Sequence, residues 1–270
     1  MSVLQGARHA SASRVAWRGA TEVAEFAKSL LGVDSTHSAT PRAIHVCSTV
    51  VGEDGMRRVI KIGPHSPKSM TDLFMLNLCR AHADVILTSG SILRSEPELT
   101  HKFCGPLPMQ RVFSDYRAQV LGKTQPLRTV VLSRGANLPF SHPLWLDSED
   151  CWLWTGSQTP SLQLPPHVRL VSSADTMKSL ACQIIADGKT LSIETGPTVT
   201  SQFYGTDESI VSELWMSTFW GPAPDQGLCT DLALPKDSIL FKSLTSTQPP
   251  TLVNEPSGTW AFQCFRVEPK

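Results

Sequence analysis

Thr190-Leu191-Ser192-Ile193-Glu194-Thr195-Gly196-Pro197-Thr198 is the stretch on which the fold turns. A short apolar strand, Thr190–Ile193, runs into a turn, and Pro197 then opens a helix reaching about Tyr204. Proline suits a first helical turn because its φ is preset and the N–H it lacks would go unpaired there anyway. Upstream, Met177, Leu180, Ala181, Ile184 and Ile185 match one helical face at every position, with Ser173 as N-cap and Gly188 as the closing residue. The unit is helix, strand, turn, helix, the alternation that builds parallel sheets.

The alternation continues on both sides. Ala43–Val51 reads as a buried strand, and Arg58–Ile62 as a short return past the turn Gly52-Glu53-Asp54-Gly55. Ser66-Pro67-Lys68-Ser69 introduces an amphipathic helix, ending near His82, on which Met70, Leu73, Phe74, Asn77, Leu78 and Ala81 share a face. Asp84–Leu87, Arg128–Leu132, Trp152–Thr155, Val168–Val171 and Ile210–Phe219 follow as strands, and Ser238–Leu244 and Trp260–Val267 close the chain as β-rich pieces. Residues 100–127, rich in proline, glycine and polar side chains, are expected to form a long loop. The fold class is thus α/β: a mixed, mostly parallel sheet flanked by helices, with antiparallel strands added at the C-terminus. Residues 1–40 are expected to form an N-terminal extension, and 41–270 a single domain. In the extension, Val23, Phe26, Ala27 and Leu30 mark a helix capped by Gly32. Its first 20 residues carry Arg8, Arg14 and Arg18 and no acid, a composition shared by mitochondrial or plastid transit segments and by disordered basic tails; without a targeting role the chain is expected to be cytoplasmic.

Composition narrows the partners. The 270 residues hold 24 Lys+Arg against 24 Asp+Glu, so no global field draws the chain to nucleic acid or an anionic membrane. With 41% hydrophobic and 18% charged residues the chain suits a packed core, and no apolar run is long enough to span a bilayer. The 7 cysteines are scattered and never form CxxC, and no histidines show metal-ligand spacing, so neither a disulfide framework nor a metal site is expected. The expected partner is a small-molecule substrate.

Open α/β sheets bind ligands at the carboxyl ends of their strands. Three such ends carry suggestive residues. Thr88-Ser89-Gly90-Ser91 offers small residues and hydroxyls to a phosphate; packing alone also favours small residues at such turns. Glu194-Thr195-Gly196-Pro197-Thr198 offers close backbone approach at Gly196, and Glu194 can accept a ligand's N–H groups or serve as a solvated cap. Ser133-Arg134 suits a nucleotide 2′-phosphate, which would favour NADPH; a surface arginine is the other reading.

Several motifs carry a family resemblance. Pro41-Arg42-Ala43-Ile44-His45-Val46, the run Leu78–Leu87 (LCRAHADVIL), Gln125–Arg134 (QPLRTVVLSR), Glu194–Thr198 (ETGPT) and Val211-Ser212-Glu213-Leu214 resemble, in order and spacing, motifs of the C-terminal reductase domain of the bifunctional riboflavin-biosynthesis deaminase/reductase. That domain has a dihydrofolate reductase-like fold. The resemblance spans about Pro41 to Val267 and implies reduction of a ribosyl-pyrimidine phosphate with NADPH, without the deaminase, whose zinc signature is missing. It implies Ser89, Gly90, Ser91, Thr195, Gly196 and Thr198 around the cofactor diphosphate, with Ser133 and Arg134 on its 2′-phosphate. It places Glu194 and Glu96 against the substrate as catalytic residues, with Ser95 beside them and Lys102 on the substrate phosphate. Two departures matter: Ser95 stands where the family has an acid, and Thr195 where it has a glycine. A non-catalytic nucleotide-binding homologue and a dihydrofolate-type reductase are the competing readings. The resemblance also implies a homodimer, with Leu214–Phe219, Trp215 and Trp220 offering either an interface or core.

Overall fold

The computed structural model describes residues 7–10, 19–34, 40–63, 65–133, 137–156, 164–171, 174–204, 209–222, 229–234 and 244–267. Among them, 13 strands form one sheet: β1 (Arg8–Ala10), β2 (Ala43–Val51), β3 (Arg57–Ile60), β4 (Val85–Ser89), β5 (Arg128–Leu132), β6 (Cys151–Trp154), β7 (Val168–Val171), β8 (Leu191–Ile193), β9 (Val211–Phe219), β10 (Cys229–Leu234), β11 (Leu244–Ser246), β12 (Thr251–Glu255) and β13 (Gly258–Val267). The α-helices are α1 (Ala20–Leu31), α2 (Met70–His82), α3 (Gly90–Ser95), α4 (Leu107–Asp115), α5 (Pro143–Asp147), α6 (Met177–Ala186) and α7 (Pro197–Thr200).

The strand order β9-β2-β8-β4-β5-β6-β7 is parallel throughout. β13 joins β9 antiparallel, β12 joins β13, and β1 lies parallel to β12. The expected architecture, a mostly parallel sheet with antiparallel strands at the C-terminus, is the one the chain adopts. On one face α1, α2 and α4 pack around Phe74, Phe113, Trp215 and Trp260; on the other, α6 and the α7 segment cover Ile193 and Phe203. The helix of the expected extension, α1, buries Val23, Ala27, Leu30 and Leu31 in the first of these cores.

Local chemistry explains the helix ends. Gly32 closes α1 at φ 67°, a left-handed conformation that only glycine adopts without cost. Ser69 caps α2 by accepting from the Asp72 N–H, and the Glu255 carboxylate accepts from the N–H groups of Met70 and Thr71. Thr176 and Ser179 cap α6 reciprocally, so Thr176 takes the role expected of Ser173, which lies outside the described residues. Ser238–Leu244 also lies outside them, except Leu244 at the start of β11.

One expectation is corrected and one open choice is narrowed. Residues 100–127 are not one long loop: they hold α4, prolonged by a wide π-type turn over Tyr116–Val120. Met109, Val112, Phe113 and Tyr116 recur at helical spacing and are buried, but Pro106 and Pro108 at the helix start read as loop punctuation. Of the two readings of Leu214–Phe219, core and interface, the structure places the stretch in the core: β9 is flanked by β2 and β13, every residue of the stretch is buried, and Trp215 is 0% exposed. Of the two tryptophans only Trp220, just past the strand, reaches solvent.

The register makes the site. β8 has three residues and pairs with β2 over Ala43–His45 and with β4 over Val85–Leu87. Its last ladder bond is the Glu194 N–H to the Leu87 carbonyl, 2.9 Å, after which Pro197 turns the chain into α7. β2 continues to Val51 and meets β3 only from Thr49. Val46, Cys47 and Ser48 are therefore left without a strand on that side among the described residues, and a crevice opens above the end of β8.

Candidate functional site

The crevice is a cavity of about 730 Å³, within the usual range for small-molecule sites. Its lining comes from His45–Ser48 of β2, Val59–Ile62 at the end of β3, Asp72, Leu76 and Arg80 of α2, Ser91, Ile92, Ser95, Glu96 and Leu99 around α3, His101, Glu194–Ser201, Tyr204 and Leu214. Ile60, Ile62, Leu76, Ile92, Leu99 and Val199 make much of the wall apolar.

At its base lies a buried ion pair that sequence reading missed. Arg80 Nη2 donates to Glu194 Oε2 at 2.8 Å, and Arg80 Nε reaches both carboxylate oxygens at 3.2 Å. The side chains are 1% and 9% exposed. Ser192 Oγ donates to Oε1 as well. Arg80 Nη1 donates to the carbonyls of Lys102 (2.7 Å) and Thr100 (3.3 Å), so the same guanidinium ties the loop after α3 to the sheet. Burial pushes the Glu194 carboxyl upward, but Arg80's charge and hydrogen bonds outweigh it and hold the group below its ordinary 4.5. Glu194 is thus a fixed carboxylate at the end of a strand, able to accept a ligand's N–H or O–H groups. The sequence signal was present: Arg80 interrupts an amphipathic helix, and Asp72, Leu76 and Arg80 recur every four residues, one stripe of α2.

Two buried histidines join the lining. His45 Nδ1 and Tyr204 Oη are 2.7 Å apart, and His101 Nδ1 lies 3.1 Å from Thr129 Oγ1. Burial lowers His45 to about 4 and His101 to about 3. Both folded values lie below the ordinary 6.5, so the unfolded chain binds more protons in between. The stability these neutral imidazoles contribute is complete above pH 6.5 and is lost as the pH falls toward 4 and below. Unfolding at pH 5 should therefore take up about two protons at these sites, and His101→Gln should lower the total uptake by about one. Calorimetry in buffers of different ionisation enthalpy measures this; an unchanged uptake in the variant rejects a neutral, buried His101.

Asp72 is the other buried acid of the cavity. It accepts from Ser48 Oγ at 2.8 and 2.9 Å and from Ser217 Oγ at 2.7 Å. Burial raises its carboxyl above the ordinary 3.8 against the pull of those hydroxyls.

The residues expected from sequence divide into two groups. Ser91, Ser95, Glu96, Glu194, Thr195, Gly196 and Thr198 all line the cavity. Burial raises Glu96 above its ordinary 4.5, with Arg80 pulling the other way, and His142 Nε2 lies 2.8 Å from the Glu96 carbonyl. Ser89, Gly90, Ser133 and Lys102 do not line it. Ser89 Oγ pairs with Ser91 Oγ at 2.8 Å, and the Ser133 N–H extends the ladder to the Trp154 carbonyl. Gly90 is crowded by side chains: a Cβ there would lie 2.9 Å from Leu138 Cδ2 and 3.0 Å from Ser133 Oγ. Lys102 turns away, its ammonium 3.3 Å from Asp147 and mostly exposed; what it offers Arg80 is its carbonyl. Arg134 lies outside the described residues.

The turn after β8 fits the diphosphate of a nicotinamide cofactor. A Cβ on Gly196 would meet no atom within 4 Å, so the backbone faces open space where a ligand can approach. The Thr195 hydroxyl, expected to intrude there, is 2.7 Å from Thr200 Oγ1 and folded back on the last residue of α7. On the Gly90 side Leu138 and Ser133 fill the space, so the fit rests on residues 195–198.

No family model and no curated protein matches the chain. Solved structures do. RibD of Acinetobacter baumannii superposes with a TM-score of 0.57 at 13% identity, over 85% of this chain and 59% of RibD. The Saccharomyces cerevisiae riboflavin biosynthesis reductase Rib7 gives 0.56 at 14%, over 92% of this chain and 100% of Rib7. A pyrimidine reductase-like protein of Corynebacterium diphtheriae gives 0.56 at 17%, over 93% and 100%. The chain spans 59% of the RibD chain it matches and the whole of the other two. The chain therefore has the fold that these three structures share. Within it, the chain takes the shape of Rib7 and of the corresponding part of RibD, while its chemistry rests on its own residues.

Proposed function

We propose that the chain is an NADPH-dependent reductase acting on a ribosyl-pyrimidine phosphate or a related small molecule, with hydride passing to a carbon at the imine or aldehyde level. The observation that carries this reading is the Glu194 carboxylate, held by Arg80 at the end of β8 beside the open turn at Gly196. Bound NADPH would supply the hydride. Gly196 and Thr198 would hold its diphosphate, with Ser91 across the crevice. Glu194 would accept the substrate's donor groups and fix its orientation, which is most of what a protein contributes to hydride transfer. Ile92 and Leu99 would keep water from the reacting carbon, and Glu96, with its raised pKa, would supply a proton there. The names of Rib7 and the corynebacterial protein support the reductase class.

Mixing protein, NADPH and a ribosylaminouracil phosphate tests the proposal. Turnover is expected as loss of nicotinamide absorbance, lowered about 10²-fold or more in Glu194→Gln, the scale of a lost positioning or proton-transfer group. Binding of NADPH without oxidation of any pyrimidine substrate favours the non-catalytic reading, whereas a fully active Glu194→Gln enzyme rejects the role given to Glu194.

A further inference from the structure

The proposed hydride transfer makes no use of a second polar pair in the cavity wall, His45 and Tyr204. His45 lies on β2, in register with Ile193, the residue before Glu194, and with Leu214 of β9. Tyr204 follows the turn Ser201–Phe203 after α7, so the segment that starts at Gly196 returns its ring to β2. His45 Nδ1 and Tyr204 Oη are 2.7 Å apart, and the rings meet edge-on with centroids 5.7 Å apart. Both residues line the cavity. Cys47, two positions along the strand and so on the same face, and Leu214 line it beside them, which makes the surroundings of the pair apolar.

Counting hydrogens shows what the pair can bind. Burial lowers the His45 imidazole to about 4 and raises the Tyr204 phenol, so both are uncharged at neutral pH. A neutral imidazole has one N–H and a phenol one O–H. Their mutual bond uses one of these two hydrogens, whichever way it points. The other donor is left over, together with one accepting lone pair. Neither ring has a further hydrogen-bond partner among the described residues. The outer edge of the imidazole is also reachable. Among those residues the sealed polar atoms without a partner include His101 Nε2 but not His45 Nε2, so His45 Nε2 meets the cavity. A neutral donor and a neutral acceptor side by side in an apolar wall match an uncharged amide, whose carbonyl accepts and whose N–H donates. Such a ligand satisfies the pair without bringing charge into that part of the wall.

Resting on the reductase reading of this cavity, we propose that His45 and Tyr204 form its amide-recognition point: together they hydrogen-bond an uncharged amide, either the carboxamide of the nicotinamide or the ring amide of the pyrimidine. The pair is then a specificity determinant, separate from the Glu194 carboxylate and from the turn at Gly196.

The test uses the double variant His45→Phe, Tyr204→Phe, which keeps two rings and removes both polar partners, a change close to neutral for folding. Calorimetric titration at pH 7 compares NADPH, 2′-phospho-ADP-ribose, which lacks the nicotinamide, and a ribosylaminouracil phosphate added after the oxidised cofactor. The variant should bind NADPH or the pyrimidine at least 10-fold more weakly, about 1.4 kcal/mol, and the nicotinamide-free probe as tightly as the wild type does. A loss on NADPH assigns the carboxamide, and a loss on the pyrimidine assigns the ring amide. Unchanged affinity for both, or an equal loss on the nicotinamide-free probe, overturns the proposal and leaves the reductase reading standing. A wild type that binds none of the compounds at millimolar concentration overturns both. If the variant fails to fold, the wild type carries the test: the His45 imidazole N–H should move downfield in the proton spectrum on saturation with NADPH or with the pyrimidine, and a signal that neither compound moves overturns the proposal.

Discussion

Replacing Arg80 by methionine should cost about 3–5 kcal/mol of stability near neutral pH, because it strands the Glu194 carboxylate in a site that is nine-tenths buried. The effect should also depend on pH in a defined direction. In the native protein Glu194 titrates below its ordinary 4.5, so its contribution is complete above that value and is lost as the pH falls through the lowered one. Without Arg80 the upward push of burial is opposed only by the Ser192 hydroxyl and His101. The variant should then gain relative stability as acid neutralises the stranded carboxyl, and the gap between the two proteins should narrow below about pH 5. Urea unfolding at pH 7 and pH 4.5 measures both values. A penalty under about 1 kcal/mol at pH 7, or one that widens in acid, contradicts the ion pair as described. Arg80→Met should also loosen the loop at Thr100 and Lys102, whose carbonyls the same guanidinium binds.

Trp215→Ala should be nearly as damaging, at about 3–5 kcal/mol for a fully buried tryptophan. The indole packs edge-on to the His82 ring, and its N–H donates to Glu213 Oε2 at 2.9 Å. Glu213 is itself buried between Arg42 and Arg266, each 3.6 Å away. Trp215→Phe keeps the ring but removes that donor, and should cost about 1–3 kcal/mol. The pair of variants separates core from interface: an interface tryptophan would change the molecular mass in solution with little effect on monomer stability. Unfolding curves and light scattering on the same samples decide between them, and an unaltered midpoint in Trp215→Ala contradicts the placement of β9 at the centre of the sheet.

The alternation of strands and helices was legible because the buried parallel strands are short apolar runs and α2 and α6 keep strict helical spacing. Ala43–Val51, Arg128–Leu132 and Val168–Val171 match the observed strands residue for residue. What failed to read was local pattern overridden by context. α4 hides behind the two prolines at its start, and the choice between core and interface for β9 is made only once β2 and β13 are known to flank it. The site shows the same division. Backbone turns such as Glu194–Thr198 announce themselves through glycine and proline. Arg80, Asp72, His45 and Tyr204 come from separate elements and acquire meaning only through packing. Lys102 is the converse case: its place in the motif pointed to the ligand, but the ion pair with Asp147 turns its ammonium elsewhere.

The most direct measurement is a titration of NADPH into the wild-type protein and Gly196→Val, followed by thermal unfolding. Gly196 has φ −62°, which valine tolerates, and its Cβ would stand in open space, so the free variant should unfold within about 0.5 kcal/mol of the parent. The account requires saturable stabilisation of the wild type, about 2.7 kcal/mol at a hundredfold excess over Kd, and at least tenfold weaker binding in the variant, whose side chain fills the diphosphate's approach. No response of the wild type at millimolar NADPH, or equal stabilisation of both proteins, would contradict it.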